Sequence, residues 1–247
     1  MIRGLYTAAS GMVAESIRTD ATANNLANVN TAGFKKDVAV NKEFESVLIH
    51  RINDGNEVAA IGNLGRGTEI DEIATIQTQG QMRATGNDFD LAIDGKGFFT
   101  VETPNGVRYT RNGTFTKNIV GDLINNEGYR VLGQNGPIRI NGNKMTVADD
   151  GRVLVDGIET GRLQVVEFTN EKQLTKEGSS LYNAAADSQS QQATGRICQG
   201  FTEGSNVNVV AEMVNLINGY RAYETNAKTV QSQDQMLEKA VTEVGRV

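Results

Sequence analysis

The feature that most limits what this chain can fold into lies near its C-terminal end. Val209, Met213, Leu216, Tyr220, Tyr223, Ala227, Val230, Asp234, Leu237, Val241 and Val244 follow one another at alternating steps of four and three. Such spacing lines residues up along one stripe of an α-helix, and only Asp234 interrupts the apolar character of the run. A helix over residues 207–244 would be about 57 Å long at 1.5 Å per residue. That length reads as a coiled coil rather than as an ordinary globular helix. Ser205 or Asn206 is placed to cap its start. Gly219 costs about 1 kcal/mol in a helix interior and serves either a close neighbour or a solvated surface. Asp234 stands either as a buried polar group that sets register or at a solvated edge.

The first 29 residues carry a weaker version of the same period. Ile2, Leu5, Ala9, Met12, Ser16, Thr19, Ala23 and Leu26 again alternate steps of three and four, with Ser16 and Thr19 diluting the middle. Asn28, Asn30 and Gly33 then form a helix-exit turn, because asparagine and glycine favour leaving the helix and glycine tolerates a left-handed stop.

The middle obeys a different rule. Between residues 80 and 161 stand 14 of the 27 glycines and both prolines, so turns dominate there. Phe98–Val101, Tyr109, Phe115, Ile138, Ile140, Met145, Val147, Val153, Val155 and the run Leu163–Phe168 are separated by Pro104-Asn105-Gly106, Asn112-Gly113, Asn135-Gly136-Pro137, Asn141-Gly142, Asp150-Gly151 and Asp156-Gly157. Asn-Gly and Asp-Gly between β-branched residues are strong short-range hairpin signals. The fold expected is therefore mainly β with long terminal α-helices. Residues 1–35 plus 204–247 would pair as a discontinuous coiled-coil domain, 36–79 would form an extended, irregular linker, and 80–203 an antiparallel β domain. Glycines 55, 62, 65 and 67 mark a flexible stretch over 53–68, and the polar run 183–194 reads as a loop.

The N-terminal seam is too small and polar to complete the C-terminal one. The helical ends are thus expected to order fully only against copies in neighbouring subunits. In that arrangement Leu5, Met12 and Leu26 face a seam of Met213, Leu216, Tyr220, Tyr223, Val230 and Leu237.

Composition removes several function classes. A formal net charge of -6 and a pI near 5.0, with no basic run, argue against nucleic-acid binding. No apolar run reaches the roughly 18 residues of a membrane-spanning helix, so membrane insertion is not expected. The N-terminus MIRGLYTAASGM lacks the layout of a cleaved secretory signal. The single histidine, His50, and the single cysteine, Cys198, leave neither a metal-ligand set nor a nucleophile–base pair. Asp88, Asp90 and Asp94 fail the calcium-loop pattern, since Ala92 and Ile93 stand where a ligand and a glycine belong. Gly62-Asn-Leu-Gly65-Arg-Gly67 lacks the lysine and hydroxyl ending of a phosphate loop. No catalytic residue, metal or cofactor is expected.

Short motifs give a resemblance. Asn24-Asn25-Leu26-Ala27-Asn28 with Thr31-Ala32-Gly33-Phe34-Lys35 at one end resembles flagellar rod and hook proteins. So does Gly204-Ser205-Asn206-Val207-Asn208-Val209 at the other, running into Met213-Val214, Arg221-Ala222-Tyr223-Glu224 and Asp234-Gln235-Met236-Leu237. Gly97-Phe98-Phe99, Tyr109-Thr110-Arg111-Asn112-Gly113 and Gly200-Phe201 match the family's core. Chain length fits the mid-length rod proteins, and the helix after Val209 resembles the distal-rod type. The lead-in Glu203-Gly204-Ser205-Asn206 is also similar to the proximal-rod type.

The resemblance implies a structural, non-enzymatic subunit of the flagellar basal body in the cell envelope. Its implied partners are copies of itself, other rod and hook subunits, and the flagellar type III export apparatus, which carries it without a cleaved signal. The terminal helices would line a hollow shaft and the β domain would face outward. A proximal-rod or hook-junction subunit is the alternative within the family. Outside it stand a cell-wall glycan-binding or glycan-active β protein, disfavoured by the lack of tryptophan, and a phage-tail or pilus-like fibre component, which would not share the end motifs.

Overall fold

The computed structural model describes residues 2–44, 46–51, 59–178, 180–185 and 188–244. Gly55 and the side chains of Ile2, His50 and Val244 lie outside the described residues. Two helices flank a chain of short strands: α1, Ile2–Ala27, and α2, Val209–Val244. The chain divides into two compact units. One comprises Met1–Leu26, Asp37–Ala74 and Asn208–Val247, and the other Ala27–Lys36 and Thr75–Val207.

In the first unit α1 and α2 lie antiparallel. A Cβ at Gly4 would stand 3.4 Å from Gln233 Nε2, one at Gly11 2.9 Å from Asn226 Nδ2, and one at Gly219 3.0 Å from Thr19 Oγ1. Glycine therefore lets the two backbones approach, and Gly219 has a close neighbour. Asn208 caps α2: its side-chain oxygen accepts from Ala211 N at 3.1 Å and its carbonyl from Glu212 N at 2.9 Å. The cap falls beyond both expected positions, Ser205 and Asn206; Val207 is buried and the side chain of Asn206 is engaged elsewhere.

Strands occupy part of the stretch read as an irregular linker. Asp37–Glu43 pairs with Thr68–Thr75, and Val47–Arg51 pairs with Ala59–Leu64. Asn25 ties α1 to the first of these strands in the manner of a strand neighbour. Its Nδ2 donates to Asp37 O at 2.7 Å and its Oδ1 accepts from Asp37 N at 2.8 Å. Thr7 Oγ1 donates to Arg66 O at 3.3 Å, so α1 also rests on the 66–68 segment.

The second unit is built from antiparallel hairpins. Phe98–Thr103 pairs with Gly106–Thr110, Met145–Val147 with Arg152–Val155, and that strand in turn with Ile158–Arg162. At Asp156-Gly157 both residues have positive φ, +50° and +84°, as a two-residue type I′ turn requires. Asn112-Gly113 makes no hairpin. Asn112 Oδ1 accepts from Thr114 N, a local Asx turn that redirects the chain. Phe115–Lys117 then pairs forward with Leu123–Asn125. The local asparagine bond outcompetes the expected turn, and a Cβ at Gly113 would collide with Leu91 O.

Strand Phe98–Thr103 is buried on both faces. Phe99 and Val101 belong to the main core with Phe115, Leu123, Val131, Met145 and Val153, whereas Phe98 packs with Phe168, Leu174 and Tyr182. Successive side chains point to opposite faces, so this strand separates the two clusters. Edge-on ring pairs close each side, Phe99–Phe115 at 5.2 Å and Phe98–Tyr182 at 5.3 Å between centroids.

Candidate assembly site

The helices carry most residues that the sequence singled out. On α1, Leu5, Met12 and Leu26 are half-buried; on α2, Leu216, Val230 and Leu237 are half-buried, while Met213, Tyr220, Tyr223, Asp234 and Val241 are exposed. The positions of α2 turned most fully inward are Glu212 and Gly219, followed at the same seven-residue interval by half-buried Asn226 and Gln233. Against them α1 presents Gly4, Gly11, Glu15 and Thr19. One carboxylate oxygen of Glu15 and the amide oxygen of Gln233 are buried without a hydrogen-bond partner. Small and polar groups thus meet between the helices, while Met213, Ile217 and Tyr220 are left exposed.

Residues 28–36 of the second unit complete the helix-exit turn. Thr31 N donates to Asn28 O at 3.1 Å and Thr31 Oγ1 to Asn28 Oδ1 at 3.2 Å, and Asn30 is exposed. Gly33 stands six residues past the end of α1, at φ +69°. A Cβ there would run into the backbone of Arg111 and Asn112, so this glycine is demanded by conformation and by a close approach together.

Just past Gly33 three distant passages of chain meet around buried charges. Lys35 Nζ donates to Glu203 Oε1 at 2.5 Å and to Thr78 O at 2.8 Å. Arg111 reaches Glu203 Oε2 at 3.4 Å and donates to Ile93 O and Gly95 O. Gly80 N donates to Glu203 Oε1 at 2.8 Å. Asn206 sits beside this cluster. It accepts from Lys36 N and donates to Ile76 O, Thr78 O and Thr78 Oγ1. Lys176 lies over the Phe34 ring at 3.7 Å and donates to Lys35 O.

The side chains of Lys35 and Glu203 are 1% and 0% exposed. Burial pushes the Lys35 ammonium below the usual lysine range although Glu203 pulls it back up, and burial also lowers the Arg111 guanidinium. Two cations share one carboxylate here, so each depends on Glu203 and on backbone carbonyls for compensation.

Sequence reasoning did not single out Lys35, Arg111 and Glu203. Their signal was available: each is a charged residue inside a glycine-bearing motif, Gly33-Phe34-Lys35, Arg111-Asn112-Gly113 and Glu203-Gly204.

Among the described residues no group of three or more His, Cys, Asp or Glu could hold a metal ion, and no helix is long and apolar enough to cross a membrane. Asp94 pairs with Arg196 at 3.1 Å. Cys198 lies in a strand paired with Leu91–Asp94, and burial raises its thiol, the reverse of nucleophile activation.

The motifs correspond to known protein families. Residues 5–35 match the model described as flagella basal body rod protein, 92–155 the flagellar hook protein FlgE/F/G D1 domain, and 199–243 the flagellar basal body rod FlgEFG protein C-terminal region. The chain is 37% identical to the flagellar basal-body rod protein FlgG of Borreliella burgdorferi, over 96% of this chain and 97% of that protein. It is 34% identical to FlgG of Bacillus subtilis over 98% of each. It is also 30% identical to the flagellar hook-basal body complex protein FlhO of the same organism, over the full length of both. Matches at both ends and in the middle, sustained over the whole length of these relatives, place this chain in the family of flagellar basal-body rod proteins.

Proposed function

We propose that this chain is a structural subunit of the distal part of the flagellar rod and that it polymerises through its terminal helices into a hollow helical shaft. The observation that carries the reading is the packing of α1 and α2, which meet through glycine, amide and carboxylate groups while large apolar side chains such as Val13, Val210, Met213, Ile217 and Tyr220 stand exposed. Burying apolar surface is the main driving force for association, and here that surface is left for a neighbour. The half-buried column Leu216, Val230 and Leu237 together with the exposed Met213, Tyr220 and Tyr223 forms the coiled-coil face of this assembly, with Leu5, Met12 and Leu26 on α1.

Heterologous contacts of this kind do not close on themselves and generate a helical filament. Other rod and hook subunits continue the same shaft, and the flagellar type III apparatus exports the chain. The turn at Asn28, Asn30 and Gly33 directs the chain out of the helical layer. The role is structural rather than catalytic, and the distal-rod assignment rests on the FlgG relatives.

Amide hydrogen exchange on the purified full chain, before and after self-assembly, tests this. Expected are fast exchange in residues 2–27 and 209–244 of the monomer, slow exchange in the β core, and strong protection of both helices in the polymer. Helices as protected as the β core in a proven monomer overturn the reading.

A further inference from the structure

Exposed side chains of the two helices, apolar except for Ser16, form two stripes with the same internal spacing. On α1 the outward stripe is Tyr6, Ala9, Val13 and Ser16; on α2 it is Val210, Met213, Ile217 and Tyr220. Tyr6 and Val13 are 67% and 61% exposed, and Val210, Met213, Ile217 and Tyr220 between 48% and 70%. Both stripes step by three, four and three residues. Read in opposite directions they match position for position: Tyr6 with Tyr220, Ala9 with Ile217, Val13 with Met213, and Ser16 with Val210. The small residues of α1 fall opposite branched residues of α2, as interdigitating helix faces require.

The two stripes of one chain cannot meet each other. Gly11 lies beside Asn226 and Gly4 beside Gln233, so Val13 is level with residue 224 of its own α2, not with residue 213.

Resting on the assembly reading above, we infer that the α1 stripe of one copy packs antiparallel on the α2 stripe of a second copy of this chain, in the register that sets Val13 against Met213. The second copy points the same way along the shaft and is displaced by eleven residues, on the order of 16 Å at 1.5 Å per residue. Each copy then offers a free α1 stripe at one end and a free α2 stripe at the other, and the contact propagates. Four side chains a side fall well short of the roughly 20 residues a side of a stable pairwise complex. The contact therefore holds only as one of several repeated along an array, and isolated chains stay monomeric at low concentration.

Disulfide trapping tests the register. Chains carrying Tyr6→Cys are mixed with chains carrying Tyr220→Cys or, separately, Val210→Cys, all on a Cys198→Ser background. They are assembled at high concentration and oxidised. Expected is a covalent dimer from the Tyr6 and Tyr220 positions, with little from Tyr6 and Val210. A Tyr6–Val210 dimer overturns the inference, since it means reversed copies closing as a pair. A polymer linked at neither position overturns the register and leaves assembly through the helices standing. Chains that never polymerise overturn both. Val13→Asp is expected to raise the concentration needed for polymerisation at least tenfold while the monomer keeps its circular dichroism. An unchanged threshold counts against the inference.

Discussion

The β unit and the helical pair spend the same kinds of residue in opposite ways. In the β unit Phe99, Val101, Phe115, Leu123, Val131, Met145 and Val153 are wholly enclosed, and the buried charges Lys35, Arg111 and Glu203 face one another. In the helical pair Glu212, Gly219, Asn226 and Gln233 line the side turned to α1, and Met213, Ile217 and Tyr220 stand outside. The β unit is complete as a single chain. The helical pair leaves several of its large apolar groups exposed. On the proposed function, stability and polymerisation are thus assigned to different units of the same chain.

Substitutions break or sharpen this contrast, and the largest effect is expected at the buried charges. Glu203→Ala strips two buried cations of their carboxylate and should cost about 3–5 kcal/mol, read as a lowered denaturation midpoint of the β unit. Phe99→Ala opens a cavity in the main core and should cost a comparable amount, about 3–5 kcal/mol, in the same measurement. Asn25→Ala removes both bonds to Asp37 and leaves its backbone groups to find water. About 1–3 kcal/mol is expected, seen as faster amide exchange at residues 37–43. The smallest monomer effect belongs to Ile217→Ser. At an exposed position it should shift unfolding by no more than about 0.5 kcal/mol yet impair polymerisation. A loss of monomer stability like that of Phe99→Ala would erase the distinction between the two units.

Legibility in the sequence follows the same division. The helices could be read because a 3-4 period over α2 has no strand counterpart, and Asp156-Gly157 could be read because two adjacent positive φ angles nearly demand that dipeptide. Two things resisted. Val209, Leu216, Tyr223, Val230 and Leu237 border one column of α2 containing Met213 and Tyr220 and another containing Glu212 and Gly219. Periodicity cannot say which column turns toward α1, because it counts apolar groups and the inward column is polar. The charge cluster resisted because its members are scattered over 168 residues, and no local rule connects a lysine after α1 to a glutamate before α2. Asn112-Gly113 shows the limit of turn dipeptides, since the asparagine side chain can satisfy the backbone without making a hairpin.

The cluster around Glu203 also fixes an order of events. Synthesis runs from the N-terminus, so Lys35 emerges first, Arg111 next and Glu203 last. Until residue 203 emerges, both cations lack their carboxylate and have only backbone carbonyls and water, and burying them would be costly. Closure of the loop from Lys35 to Glu203 therefore waits on nearly the whole chain. The tie thus makes closure of the β unit a late step: a partial chain that ends short of residue 203 holds the two cations but not the carboxylate they share.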